Sequence, residues 1–123
     1  MLTPELVQIC KKKLIEAKQD ILNRYKDAQK MLSQHSDDKG GDEGDQTMRI
    51  LAEKEALLAQ KRLREALLEI ESALYRIEAG MYGVCEETDE PIESERLLVI
   101  PWTRLSIEGA ETREAPNYQK RVD

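Results

Sequence analysis

Between residues 3 and 34 the apolar positions recur with a helical period. Val7, Leu14, Ile21 and Ala28 stand seven residues apart, with Cys10, Ala17 and Met31 between them. A sustained seven-residue repeat predicts a helix that pairs with another along one seam. Thr3 is placed to cap this helix, and Pro4 suits its first turn, where a missing N–H costs nothing. Arg24 falls on the seam where a leucine is expected. Its stem can cover apolar surface while the guanidinium reaches water, with Tyr25 filling the gap. A second helix is predicted from about Asp45 to Ala79. Leu63, Leu67, Ile70, Leu74 and Ile77 step by four, three, four and three, the spacing of a two-stranded seam. Ile50, Leu51, Leu57 and Leu58 form a shifted stripe, which predicts a slip of register near Gln60. Gly80 supplies the C-terminal stop. The break between the helices, HSDDKGGDEGD at 35–45, holds three Gly and five Asp/Glu in eleven residues and reads as a tight, exposed turn. Two helices of roughly 45–50 Å each, joined by so short a break, form an antiparallel hairpin.

From residue 81 the pattern changes. Tyr82-Gly83-Val84-Cys85 is β-like, Glu86 to Pro91 a turn, and Leu97 to Ile100 an apolar run ended by Pro101. Trp102, Leu105 and Ile107 follow on a predicted short helix starting near Thr103, and Pro116 stops any continuation. The expected fold is mainly α. A coiled-coil hairpin spans 1–80 with an acidic tip at 37–45, and a small globular knob with a short helix spans 81–123. The expected core of the knob is Tyr82, Val84, Leu97, Ile100, Trp102, Leu105 and Ile107. A unit this small usually needs a metal, a disulfide or a partner, and this one can also pack against the base of the hairpin.

Composition agrees with long solvated helices and a thin core: of 123 residues, 36% are charged and 4% aromatic, with no Phe. Nineteen Lys+Arg against 25 Asp+Glu leave a net charge of −6, which argues against sequence-independent binding to DNA. No apolar run approaches the ~18–20 residues of a membrane span, and the first residues do not resemble a secretory signal. Two cysteines do not make a disulfide framework, so a reduced, cytoplasmic protein is expected. Cys10, His35 and Cys85 are too widely spread for a Cys/His zinc site or a Cys–His nucleophile. There is neither a phosphate-binding loop nor a dinucleotide fingerprint, so no enzyme is expected.

The remaining cluster is the acidic tip: Asp37, Asp38, Asp42, Glu43 and Asp45. Acids here can cap the second helix and complement its dipole. Acids at the end of a long arm can also reach a basic residue or a Mg²⁺ site inside a second molecule. Spacing alone does not choose between these. Cys85 reads as a small buried residue or as a thiol without a resolving partner.

The stretch ALYRIEAGMYGVCEETDEPIESERLLVIPWTRLSIEGAE, residues 73–111, resembles the C-terminal zinc-finger region of the DksA/TraR family. That family's pattern runs Y-G-x-C, a short acidic turn, E-x-I, R-L and I-P-W/T, followed by a second cysteine pair. Its members bind bacterial RNA polymerase and insert a two-helix coiled coil into the secondary channel. The resemblance implies a transcription regulator that acts on open-complex stability, in the setting of the stringent response. The family tip motif D-x-x-D-x-A corresponds to Asp42, Asp45 and Thr47, with threonine in place of alanine. Of the four family cysteines only Cys85 is present; the other positions hold Thr88, Ser106 and Gly109. Hydroxyls do not replace thiolates for Zn²⁺, so a degenerate, metal-free finger is expected, as in the family's zinc-independent members. The family's basic contacts to the alarmone ppGpp correspond to Glu69, Ile100 and Ala110, none of them basic. Binding of ppGpp through those positions is therefore not expected to govern the protein.

The resemblance implies polymerase as the partner, with no direct DNA sequence recognition. A monomer is expected because the hairpin buries its own seam. Two other readings are weighed against it. One is a Gre-type transcript-cleavage or anti-backtracking factor, which also carries acids on a coiled coil but has a larger globular domain. The other is a structural coiled-coil adaptor.

Overall fold

The long apolar periodicities fold as helices. The computed structural model describes residues 2–37 and 43–119. Helix α1 runs Pro4–Asp37 and α2 runs Glu43–Glu78. Two short helices follow, α3 (Ser94–Val99) and α4 (Ile107–Glu114). Thr3 caps α1 as its sequence position predicts, with its Oγ1 accepting from the Leu6 N–H at 3.2 Å. Helix α2 ends as Gly80 predicts. Gly80 has φ +73°, its N–H reaches the Ile77 carbonyl at 3.2 Å, and the Met81 N–H reaches Arg76 at 2.9 Å. This double closure needs a left-handed residue, which glycine supplies without a Cβ clash.

The chain divides into two compact units, one of Met1–Ile15 with Glu69–Asp123, the other Glu16–Leu68. In the first, the base of α1, the end of α2 and the C-terminal segment share one core. Cys10, Leu14, Ile70, Ala73, Tyr82, Cys85, Ile92 and Leu97 are buried there. Leu97 is fully buried on α3, and its carbonyl accepts from Cys10 Sγ at 3.7 Å. The next carbonyl, of Leu98, accepts from Lys13 Nζ at 2.8 Å. A cation at the last turn of α3 also complements the dipole of the helix. The predicted knob core is therefore partly corrected. Val84, Trp102 and Ile107 are exposed, Ile100 and Leu105 are half-buried, and residues of α1 and α2 take their place. A segment this short does not close a core by itself, so it closes one on the hairpin base.

Two further expectations are corrected in this unit. The β-like stretch forms only an isolated bridge, Val84 with Pro91. The last helix starts at Ile107 and not near Thr103. Two hydroxyls compete for the cap, and Ser106 wins it: its Oγ accepts from the Gly109 N–H at 3.0 Å. The Thr103 hydroxyl is held locally by Leu105 instead, accepting from its N–H at 3.2 Å.

In the second unit the seam follows small residues. Ala17, Ile21, Tyr25 and Ala28 of α1 are half-buried, as are Ala52, Ala56, Gln60 and Leu63 of α2. Tyr25 rather than Arg24 occupies the seam, and Arg24 pairs with Asp20 at 3.1 Å on the outer surface. Arg49, Ala56, Leu63, Ile70 and Ile77 keep an unbroken seven-residue spacing of buried or half-buried positions. No register slip occurs near Gln60. Ile50, Leu51, Leu57 and Leu58, expected to form a shifted seam, are all exposed, as is Met31.

Candidate functional site

Two groups of residues were singled out by sequence, and the structure brings one of them together. Cys85 follows the turn after α2 and is fully buried. Ser106, 5% exposed, and Gly109 lie at the N-terminus of α4. A Cβ built on Gly109 collides with Cys85 Sγ and stands 3.3 Å from Ser106 Oγ. The sulfur thus rests directly against the bare Cα of Gly109. Thr88 completes the cluster from the intervening turn, where its Oγ1 also accepts from the Glu90 N–H at 3.3 Å. Burial alone pushes the Cys85 thiol pKa up. Hydrogen bonds from the side chains and backbone N–H groups of Ser106 and Thr88 more than offset this and bring it down to about 7. The four positions thus enclose one thiol, two hydroxyls and a glycine. Among the described residues, no group of three or more His, Cys, Asp or Glu side chains is arranged to hold a metal.

Around this cluster runs a network of arginines that sequence reasoning did not single out. Arg104 bridges three partners: Nε to Glu69 Oε2 at 3.1 Å, Nη1 to Glu86 Oε1 at 3.0 Å, and Nη2 to Ser72 Oγ at 2.7 Å. Arg76 of α2 bonds Ser72 Oγ at 2.8 Å and the carbonyls of Trp102 and Thr103 at 3.3 and 3.4 Å. Arg113 Nε pairs with Glu87 at 3.1 Å, and the Tyr118 hydroxyl donates to the same oxygen at 3.0 Å. Below the network, Tyr82 donates to the Pro101 carbonyl at 2.7 Å. Burial first, then the neighbouring Cys10, raises the pKa of Tyr82, so it stays protonated as the donor. The sequence signal for the network was slight: arginines interleaved with acids in a segment too short to hold its own core.

The bond pattern of Arg104 makes a direct prediction. Arg104→Ala is expected to lower unfolding free energy by about 1–2 kcal/mol, since it removes charge-assisted bonds at half-exposed carboxylates. Arg104→Lys should restore less than half of that loss, because one ammonium does not serve three acceptors in a fixed plane. Urea unfolding of both variants checks this.

The residues assigned to ppGpp by resemblance lie elsewhere in the same unit. Glu69 and Ile100 line a groove of about 330 Å³ with Trp102 and three arginines. Each of those arginines is engaged, Arg96 through Nε to the Leu105 carbonyl at 2.8 Å. Of the tip residues, Asp45 and Thr47 are exposed in the first two turns of α2. Asp42 lies outside the described residues.

The fold is a long helical hairpin followed by a small module at whose core the Cys85 cluster is set. Residues 80–115 match the family model described as the prokaryotic dksA/traR C4-type zinc finger. Over 119 residues the chain is 37% identical to an uncharacterized protein of Aquifex aeolicus (strain VF5), covering 93% of this chain and 81% of that one. It is also similar to the structure of transcription factor DksA2 from Pseudomonas aeruginosa. The TM-score is 0.82 at 30% identity, covering 90% of this chain and 84% of that one. The chain belongs to the DksA/TraR family. It is a transcription factor of the kind that acts on RNA polymerase, and not an enzyme.

The match corrects one expectation. The chain was expected to have no cofactor, whereas the family model it fits is that of a C4-type zinc finger, which points to zinc binding. The donors at the four positions do not reproduce the family's set, since zinc is ordinarily held by four thiolates or imidazoles and only Cys85 is such a donor. Family and donor set therefore disagree at three of four positions. Among the described residues, no helix is long and apolar enough to cross a membrane.

Proposed function

We propose that this protein enters the secondary channel of bacterial RNA polymerase with its helical hairpin and alters the stability of the open promoter complex through Asp42 and Asp45. The observation that supports the reading best is the likeness to transcription factor DksA2 over 90% of the chain. The hairpin supplies reach, and Asp45 and Thr47 stand exposed in the first turns of α2. A carboxylate there can pair with a basic side chain or perturb the ions of a catalytic centre. The action is a population shift: the factor binds one polymerase state more tightly than another, and promoters differ in response because their open complexes differ in stability.

The test is the lifetime of the open complex on a ribosomal-RNA-type promoter with cognate polymerase. The wild type is expected to shorten the lifetime several-fold. Asp45→Asn is expected to compete for polymerase as well as the wild type and to leave the lifetime within about 1.5-fold of polymerase alone, a difference worth only about 0.2 kcal/mol. Equal action of the two proteins refutes the tip mechanism. Stimulated cleavage of transcripts in backtracked complexes would favour a Gre-type reading instead.

A further inference from the structure

Helix α4 is seated on its unit without a buried apolar side chain. Of its eight residues Gly109 is buried, Ala110 is half-buried and the other six are exposed, Ile107 among them. A glycine offers the core no side chain. Helix α3 is shorter, yet it inserts the fully buried Leu97. Eight residues are too few for a helix to persist in water alone, so α4 depends on what fastens its ends. At the first end Ser106 caps it through the Gly109 N–H, and the Ile107 N–H donates to both carboxylate oxygens of Glu93, at 3.1 and 3.3 Å. At the other end Arg113 Nε and the Tyr118 hydroxyl converge on Glu87 Oε2, at 3.1 and 3.0 Å, and Arg113 Nη2 stands 3.7 Å from Glu86. Ion pairs at a surface hold weakly and are screened by salt.

The floor beneath α4 is fastened independently of it. The Cys85 N–H donates to the Glu90 carbonyl at 2.8 Å, the Asp89 N–H donates to the Cys85 carbonyl at 2.9 Å, and the Ile92 N–H reaches Gly83 at 2.8 Å. The Glu86 N–H donates to the Arg104 carbonyl at 2.9 Å. The Leu105 carbonyl accepts from Arg96 Nε at 2.8 Å and from the Thr103 hydroxyl at 3.1 Å. The chain is thus pinned as far as Leu105 by bonds that do not involve α4. Ser106, extended at φ −70° and ψ 172°, is where the bonding turns into the helix: its hydroxyl accepts from Gly109 and its carbonyl from Ala110 at 2.9 Å. Rotation about Ser106 lifts α4 and leaves the Cys85 turn standing. The atom beneath is Cys85 Sγ, fully buried against Gly109.

We infer that α4 is a lid hinged at Ser106, which opens while the rest of its unit stays folded and so decides when the Cys85 sulfur can be reached. Closed, the lid sets helix backbone against the sulfur and leaves no room for an entering atom, since one carbon added at Gly109 already collides. Open, the thiol faces solvent from a turn whose own bonds are intact. Segments with few buried apolar contacts open locally in this way, at a lower free energy than the whole domain. Cys10, the other buried thiol, lies in the core with Leu97 and is reached only when that core comes apart. The lid makes access to Cys85 depend on the pairs at Glu86 and Glu87 instead of on the stability of the core, and this holds whatever the hairpin binds.

The test is alkylation of the full chain by iodoacetamide, with the Cys10 and Cys85 peptides followed separately by mass spectrometry. Each thiolate displaces iodide to form a thioether, and the thiol proton passes to the buffer. Over the range of low urea in which Cys10 speeds up about tenfold, Cys85 is expected to speed up less than about twofold, because a local opening exposes little surface. Arg113→Gln/Tyr118→Phe is expected to speed Cys85 at least about threefold and to leave Cys10 within about twofold of the wild type. Loss of a cation does not favour a thiolate, so the faster reaction reads opening. Hydrogen exchange of the wild type needs no variant: the amides of Ala110 to Glu114 are expected to exchange at least about tenfold faster than those of Leu97 and Ile100. A common urea dependence for the two thiols overturns the inference. So does a variant that leaves Cys85 unchanged or speeds both thiols alike, and so do α4 amides as well protected as those of α3.

Discussion

Leu97→Ala is expected to reduce the free energy of unfolding by about 3–5 kcal/mol, the largest effect of any single truncation in the C-terminal half of the chain. Leu97 is fully buried, and it lies on α3, a helix of six residues too short to persist without packing. Its side chain joins α3 to the buried residues of α1 and α2 within one core. Its carbonyl is held by Cys10 Sγ. Truncation removes the transfer free energy of the side chain and leaves a void in a small core, of eight buried apolar side chains among the described residues. Few neighbours remain to collapse into it. Urea unfolding followed by helical circular dichroism measures the change. Ile107→Ala, which removes a similar volume at an exposed site, is the comparison and should cost less than about 0.7 kcal/mol. A loss below about 1 kcal/mol for Leu97→Ala would show that α3 does not share the core.

Gly109→Ala is the second, and here the sign is the informative quantity. Gly109 is the third residue of α4, and within a helix alanine is ordinarily more stable than glycine by up to about 1 kcal/mol. In this protein a Cβ at 109 collides with Cys85 Sγ. The sulfur is fully buried, and its neighbours Thr88 and Ser106 hold it by hydrogen bonds, so it has nowhere cheap to move. Gly109→Ala is therefore expected to destabilise by about 1–3 kcal/mol. Cys85→Ala removes the obstructing atom, and the double variant should be more stable than the sum of the single effects by at least about 1 kcal/mol. Thermal unfolding of the four proteins gives the coupling. Additive effects, or stabilisation by Gly109→Ala alone, would refute the contact between sulfur and helix.

What the sequence made legible were features whose cause is local. The cap at Thr3 and the stop at Gly80 depend on residues within one turn, and both stand where the pattern put them. The heptad spacing of the helices also held, because it depends on geometry common to all helices. The misreadings share one origin. The leucine stripe predicts the seam, which makes Ile50, Leu51, Leu57 and Leu58 its continuation after a slip. The seam instead follows Ala52 and Ala56, which carry little apolar signal, and the leucines face outward. The knob core was misread because its partners lie on other elements: Cys10 touches Leu97 across 87 positions of chain. The cluster of Cys85, Thr88, Ser106 and Gly109 was legible only through resemblance. Nothing in the spacing of two hydroxyls and a glycine announces that they converge on a thiol. Choosing Ser106 over Thr103 as the cap of α4 likewise depended on which hydroxyl the tertiary fold left free to turn inward.

The discontinuous make-up of the first unit has a consequence for how the protein is made. Residues on both sides of the second unit complete one core, so residues made early, such as Cys10 and Leu14, wait for residues made much later. Cys10 and Leu14 leave the ribosome long before Ile92 and Leu97, and until those arrive part of their native cover is missing. Contacts of such sequence separation form slowly, and unfinished chains with open apolar surface are the ones that aggregate or attract chaperones. The core is complete only once Ile92 and Leu97 of the later segment have joined it. A release of the nascent chain just before residue 92 should therefore yield a hairpin without a base, and its degradation should be far faster than that of the finished protein.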